Sequence, residues 1–489
     1  MPDAVGTTGT GDALEPAVHP GMPGTGDALE PAVHPGTPGT GDALEPAGRP
    51  GTSGTGDALG TGDTGEPAVR PGTPGDEATA ERLKARLSSL SPSQRAVLEQ
   101  SLRRRNAKAP QALGTPPRAA GPPAAAPRRT RRPGSTMEFS LFFFSGDGSA
   151  DGPGKYQLLL DSARYADAHG FAGIWVPERH FVDFGGLYPN PSVLAAALAM
   201  VTERLQIRAG SAVLPLHHPV RVAEEWAVVD NLSGGRVAVS AASGWHPDDF
   251  LLAPGDGALR HERRKEEMFE AIDTVQRLWA GETVALPRAD GTSQHVRTLP
   301  RPLQPRLPMW VSAQGSVETF VRAGEIGAHV LTGLVAQRPA DLKDKIGAYR
   351  EARAEAGHDP AAGTVTAMVH TFLAARADEA KEVVRAPLTA YLKTFLAQQD
   401  SFDSGFATLS DAERDAMLAA TFERYFDGLA LLGTPDTCES LVEDLVDIGV
   451  DEVACLVDFG LDPDRVLAGL DHLTVLKDRY RPAPEGEHS

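Results

Sequence analysis

From residue 139 onward the sequence alternates short apolar runs with longer amphipathic stretches, and this rhythm constrains the fold more than any other feature. Runs at 139–144, 173–176, 205–214, 237–241, 309–312, 328–331, 365–372 and 452–457 read as strands. Helical spacing marks 156–169, 193–203, 220–231, 263–279, 317–325, 342–356, 437–447 and 466–477; in 263–279 the stripe is Met268, Phe269, Ile272, Val275 and Leu278. Near-continuous apolar strands separated by helices predict a parallel sheet covered on both faces. Eight such units predict a closed (β/α)8 TIM barrel over 137–489. The alternative is an open doubly wound sheet, but no Gly-x-Gly-x-x-Gly follows the first strand. Residues 376–432 break the rhythm. Two helical stretches there, 377–398 and 411–431, predict an insertion at the C-terminal mouth of the barrel.

The first 136 residues are of another kind. The block GTGDALEPAVHPG begins at Gly9 and Gly24, a variant begins at Gly39 and a degraded copy at Gly54. Each copy offers one Leu among Gly and Pro, too little apolar surface to offset chain entropy, so disorder is expected over 1–75. Residues 76–106 place Leu83, Leu87 and Leu90 at helical spacing, and Ser91-Pro92 reads as the start of a second helix. This pair is either a solvated linker helix or a docking element. Residues 107–136 are Pro, Ala and Arg, with Arg128, Arg129, Arg131 and Arg132 among prolines, a semi-rigid basic linker suited to an acidic partner surface.

Composition excludes several function classes. A net charge of −19 argues against a general nucleic-acid binder. Two cysteines, Cys438 and Cys455, make neither a disulfide framework nor a zinc site. No apolar run reaches the roughly 20 residues of a membrane helix, and no basic-then-apolar leader opens the sequence. The expected location is cytoplasmic.

Barrel chemistry gathers at the C-terminal ends of strands. The second strand runs into Glu178-Arg179-His180, which puts an acid, a fixed cation and a titratable imidazole at the mouth. An ion pair beside a packed histidine is the structural alternative. The third ends in small residues, among them Gly210 and Ser211, that let a flat ligand approach the backbone. Beyond it, His217 and His218 suggest a metal, but no cysteine or further carboxylate cluster accompanies them, and His218-Pro219 reads better as a helix start. The fourth runs into Ser243, Gly244 and Trp245, either a hydroxyl and bare backbone for a phosphate or polar ring edge, or a plain turn. The fifth ends in Ala313-Gln314-Gly315-Ser316 just before a helix, a turn that directs free N–H groups at an anion, with Ser316 also a candidate N-cap.

The segment Gly170-Phe-Ala-Gly-Ile-Trp-Val-Pro-Glu-Arg-His-Phe181 resembles the second-strand signature of bacterial luciferase-like monooxygenases. Val213-Leu-Pro-Leu-His-His-Pro-Val-Arg221, Leu232-Ser-Gly-Gly-Arg236 with Ser243-Gly-Trp245, and Gly433-Thr-Pro435 are similar to further segments of that family. The resemblance spans nearly all of 137–489. It implies reduced FMN (FMNH2) at the barrel mouth, supplied by a separate flavin reductase, and O2 as oxidant. It implies Gly210 and Ser211 against the isoalloxazine, Ser243 with Gly244 and Trp245 near ring or phosphate, and Ala313 to Ser316 on the phosphate. Luciferases carry two histidines after the glutamate, the first a catalytic base. Here Arg179 takes that place, so light emission is not expected. Arg179 is expected to stabilise an anionic flavin state, and His180 is left as the acid/base candidate.

A narrower resemblance joins Ser243-Gly-Trp-His-Pro-Asp-Asp-Phe250, Gly324-Glu-Ile-Gly327 and the mouth insertion to a subgroup found in or beside polyketide and nonribosomal peptide assembly lines. Leu90-Ser-Pro-Ser-Gln-Arg-Ala-Val-Leu98 resembles helical linkers of those synthetases. It implies an acyl or aminoacyl substrate on a carrier protein, oxidised by hydroxylation at carbon or nitrogen or by oxygen insertion beside a carbonyl. A homodimer is the expected assembly. Two rival readings remain: a deazaflavin-dependent hydride-transfer enzyme on the same barrel, and a non-catalytic scaffold of a synthetase.

Overall fold

A computed structural model describes residues 131–132, 134–144, 154–182, 186–288, 290–335, 337–400 and 410–481. The repeats at 1–75, the helical pair at 76–106 and all but the end of the 107–136 linker lie outside the described residues. The strands among them are β1 (Glu138–Phe142), β2 (Gly173–Val176), β3 (Gln206–Val213), β4 (Val237–Ala242), β5 (Val284–Pro287), β6 (Ser293–Val296), β7 (Met309–Ser312), β8 (His329–Gly333), β9 (Val365–Leu373), β10 (Leu431–Gly433) and β11 (Glu452–Leu456). The helices are α1 (Gln157–Ala168), α2 (Pro191–Ala199), α3 (Pro219–Ser233), α4 (Gly257–Glu262), α5 (Arg264–Ala280), α6 (Val317–Glu325), α7 (Pro339–Glu355), α8 (Ala377–Asp400), α9 (Asp411–Gly428), α10 (Pro435–Asp447) and α11 (Pro463–Arg479).

The eight strands expected from the apolar runs pair in parallel in the order β1-β2-β3-β4-β7-β8-β9-β11, and β11 returns to β1. The closing register sets Glu138 against Glu452 and Leu141 against Cys455. The eight strands therefore form the closed barrel. Cys438 and Cys455 are both buried and free. Among the described residues no helix is long and apolar enough to cross a membrane.

Caps, not the apolar stripe, set where several helices begin. Asn190 accepts the Val193 N–H and Pro191 takes the first helical position, so α2 opens two residues before its expected start and ends at Ala199. Asp462 accepts from the N–H groups of Asp464 and Arg465 at the head of α11. The expected helix 263–279 is two, α4 and α5, meeting at Arg263. The expected helix 411–431 is too long. It stops at Gly428, and residues 431–433 instead form β10, which pairs with the end of β9. The β5–β6 hairpin was not expected. Its inward residues Val284, Leu286 and Val296 cluster with Ala223 and Leu278, too few apolar positions to give a strand rhythm.

The barrel interior is not purely apolar. Arg208 on β3 donates from Nη1 to both carboxylate oxygens of Glu452 on β11, at 2.6 and 2.7 Å. Both side chains are buried. Its Nε donates to Gln206, and the guanidinium lies over Trp175 and Trp310, 5.0 Å or less from each ring centre. Ser140 donates to Glu452, and Trp175 donates from Nε1 to Ser140. The ion pair is thus enclosed by aromatic faces and further hydrogen bonds, the condition under which a buried pair offsets its desolvation.

The end of the basic linker does meet an acidic surface, but that surface belongs to this chain. Arg132 bonds Glu443 at 2.9 Å and Asp447 at 2.5 Å, and the Arg131 N–H donates to Glu439. The three acids lie four residues apart on α10, one ladder along its face.

Candidate active site

Glu178 follows β2 and is fully buried. Its Oε2 accepts the Val213 N–H at 2.6 Å. Its Oε1 accepts from two imidazoles, His217 Nε2 at 2.6 Å and His180 Nε2 at 3.0 Å. Burial alone would raise this carboxyl. The bonds from His180 and His217, the His217 charge and the Val213 N–H together hold it below the ordinary range. Burial alone would likewise lower His217, but bonding to and charge from Glu178 raise it. Because a carboxylate only accepts, both imidazoles carry hydrogen on Nε2. A neutral His180 then has its lone pair on Nδ1.

His217, read from sequence only as half of a disfavoured metal pair with His218, makes the shorter bond to Glu178. The signal lay in topology: β2 and β3 are neighbours, so residues just past their ends share a rim. His218 accepts the Val220 N–H and opens α3, as its position before Pro219 suggests.

Arg179 does not join this cluster. Its Nη1 donates to Asp249 at 2.5 Å, and its guanidinium lies 5.0 Å from the Trp245 ring centre. Only 2% of it is exposed. Among the described residues Nε and Nη2 have no partner, nor does Asp249 Oδ1. Burial raises the Asp249 carboxyl against the pull of Arg179, His180 and His246. This corner of the rim therefore holds a cation with two buried, unused donors.

The small residues divide. The peptide bond between Gly210 and Ser211 is cis. A Cβ on Gly210 would meet Trp175 at 2.8 Å and Phe142 at 3.0 Å, so its bareness serves packing within the barrel. Ser211 meets Ser312, and Ser240 meets Ser312 at 2.9 Å, which links the ends of β3, β4 and β7 by hydroxyls. Ser243 makes only a long 3.5 Å contact with its neighbour's carbonyl. Gly244 has φ +76, and a Cβ there would meet Phe250 and Val213 at 2.9 Å, so the turn itself demands glycine. Trp245 is 40% exposed at the rim.

Ala313 is buried and its N–H is spent on Leu331 of β8. Gln314 is exposed, and open space surrounds Gly315. Ser316 occupies the N-cap of α6, yet its side chain makes no capping bond; the Thr319 N–H turns to the Ser316 carbonyl at 3.2 Å. Lys345 Nζ bonds Gln314 O at 3.0 Å and Gln337 Oε1 at 2.7 Å, which brings a cation to this turn from α7. No sequence pattern tied Lys345 to the turn.

The insertion supplies aromatic cover at the end of β9. His370 is packed edge-on against Tyr391 of α8, Tyr425 of α9 and Phe459. Burial pushes His370 down to about 3, so it is neutral. Its Nε2 and the Tyr425 hydroxyl have no partner among the described residues.

An eight-stranded barrel with an imidazole–carboxylate cluster and, among the described residues, buried unpaired donors at one rim defines a polar ligand site at its mouth. The luciferase-like monooxygenase family model matches residues 137–452, and the chain belongs to that family. It is similar to limonene 1,2-monooxygenase of Rhodococcus erythropolis, 31% identical over 284 residues, 57% of this chain and 68% of that protein. It is also similar to the oxygenase component of the flavin-dependent trigonelline monooxygenase of Acinetobacter baylyi, 31% identical over 188 residues, 36% of this chain and 49% of that protein. In fold it resembles the oxygenating constituent of 3,6-diketocamphane monooxygenase from Pseudomonas putida, determined with FMN, at a TM-score of 0.59, 20% identity, 72% of this chain and all of that one. With the family goes the class of enzyme, a flavin-dependent monooxygenase with O2 as oxidant.

Proposed function

We propose that this chain oxidises an acyl or aminoacyl substrate held on a carrier protein, using FMNH2 delivered by a separate flavin reductase and O2, in the cytoplasm and as a homodimer. The observation that carries the cofactor reading is the unspent donor set: among the described residues Arg179 Nε and Nη2 are buried without hydrogen-bond partners, and α6 starts without a side-chain cap beside Lys345. Gln314, Gly315, Ser316 and Lys345 would hold the phosphate. Ser211 and Ser243, with Gly210, Gly244 and Trp245, would border the ring, and Arg179 would face its anionic edge. When bound, reduced FMN supplies two electrons, so that one atom of O2 enters the substrate and the other leaves as water.

The remaining roles belong to the protein. Glu178 fixes both imidazoles with hydrogen on Nε2, and its bond and charge raise His217. This leaves His180 Nδ1 to take or return a proton at the reacting oxygen. Arg179 places a fixed charge where negative charge builds up, in a site poor in water. The carrier-bound substrate is supported by the motif resemblance at 243–250 and by an apolar rim, with Phe181, Trp245, Leu251 and Leu252 exposed. The trigonelline enzyme's being an oxygenase component supports a separate reductase.

The test supplies FMN, a reductase, NAD(P)H and carrier-loaded acyl or aminoacyl groups, and weighs the carrier. A gain of one oxygen that needs both flavin and air supports the reading. Turnover without oxygen uptake points instead to hydride transfer on the same barrel, and a barrel that binds no flavin points to a scaffold. His180→Ala is expected to lower turnover about hundredfold or more, with flavin affinity nearly unchanged. Normal turnover of bound flavin in that variant contradicts the role.

A further inference from the structure

A second cavity, of about 460 Å³, opens at the other end of the barrel wall, and nothing in the monooxygenase chemistry uses it. Met309 begins β7 and lines this cavity, whereas Ser312 ends β7 at the mouth, about 10 Å along the strand. One wall is apolar: Phe269, Ile272, Leu307, Met309 and Ile326. The other is cationic. Arg353 is 5% exposed and donates from Nε and Nη1 only to the carbonyls of Asp359 and Ala328 and to the Tyr349 hydroxyl. Arg306 is exposed on the same wall. Among the described residues neither guanidinium has a carboxylate within ion-pair distance. The wall's one carboxylate, Asp273, is turned to Arg277 at 3.7 Å.

His329 sharpens the picture. Its Nδ1 accepts the Thr364 N–H at 2.8 Å, which leaves the proton on Nε2. Burial and the charges of Arg353, Arg208 and Arg306 push its pKa down to about 4, so the imidazole is a neutral donor in a positive field. A nearly buried guanidinium without a counter-ion is costly, and an anion brought into the cavity would relieve that cost.

We propose that this cavity binds a small apolar monocarboxylate, its carboxylate between Arg353, Arg306 and the His329 Nε2–H and its aromatic or aliphatic body on the Phe269–Ile326 wall. The volume suits a body of about ten to twenty non-hydrogen atoms. The site is separate from the flavin-binding mouth, and the inference does not rest on the reading of the substrate.

The experiment is calorimetric titration of the full chain with 2-naphthoate, and with 2-naphthol as the neutral control. The naphthoate is expected to bind one per chain, at least about tenfold more tightly than naphthol, and equally well with FMN present. Arg306→Glu should weaken it about tenfold or more, and Ala362→Phe, which fills the cavity from a loop, should abolish it while the melting temperature holds. Absence of binding overturns the proposal. So does naphthoate binding that FMN displaces, that Arg306→Glu leaves intact, or that naphthol equals.

Discussion

Two buried arginine–carboxylate pairs sit at different depths in this barrel, and they are finished differently. Inside the barrel, the Arg208 guanidinium lies against Trp175 and Trp310, Gln206 and Ser140 add hydrogen bonds to the Arg208–Glu452 pair, and among the described residues no buried donor or acceptor of the pair lacks a partner. At the mouth, Arg179 and Asp249 share one short contact while, among the described residues, two guanidinium donors and a carboxylate oxygen have no hydrogen-bond partner. A closed network holds a fold together. An open one carries a desolvation cost that a ligand can recover. On the proposed function, the contrast separates the part of the barrel that is structure from the part that is chemistry.

The largest effect is expected inside the barrel. Arg208→Met leaves Glu452 charged, enclosed and unpaired, and should cost about 3–5 kcal/mol of stability in urea unfolding. At the mouth, Arg179→Met should cost less, about 1–2 kcal/mol, because burial already raises Asp249 and the carboxyl left without its cation can take up a proton, so the loss should shrink as pH falls. Its activity should drop about hundredfold. If Arg179→Met destabilises as much as Arg208→Met at every pH, the distinction between the pairs fails.

A smaller effect is expected from His217→Gln. His217 is raised in the folded state, so its contribution is full below its ordinary value of 6.5 and fades as pH rises through the raised one. Glu178 is lowered, so its contribution is present above its ordinary 4.5 and fades in acid. Wild type should therefore exceed His217→Gln in stability most between these values, and the gap should narrow in alkali. A gap that keeps widening as pH rises above 6.5 sinks the assignment. The smallest effect belongs to Tyr425→Phe, which removes a buried hydroxyl with no partner among the described residues and should leave stability within about 0.5 kcal/mol or raise it. A loss above about 1 kcal/mol would show that the hydroxyl is bonded after all.

The barrel was legible because its strands are covered on both faces and read as apolar runs, and all eight lie where those runs lie. The β5–β6 hairpin was not, since only one edge of it is buried, although Asp290-Gly291 marked its turn. Within the site, Glu178 and His180 were legible from their place after β2. His217, Asp249 and Lys345 were not, because their link to the rim runs through neighbouring strands and helices rather than through spacing. Arg208 and Glu452 stood in plain sight as charges inside apolar strands, a signal of a buried pair that periodicity alone does not weigh.

The most direct test replaces each pair by apolar residues, Arg179→Met with Asp249→Leu in one variant and Arg208→Met with Glu452→Leu in the other, and titrates both with reduced FMN without oxygen. Both should fold, as apolar replacement of a whole buried pair is often neutral. The mouth variant should lose flavin affinity by at least about tenfold, about 1.4 kcal/mol, while the interior variant binds as wild type does. Equal binding by the two variants, or a loss confined to the interior variant, would contradict the assignment of the open pair to the cofactor.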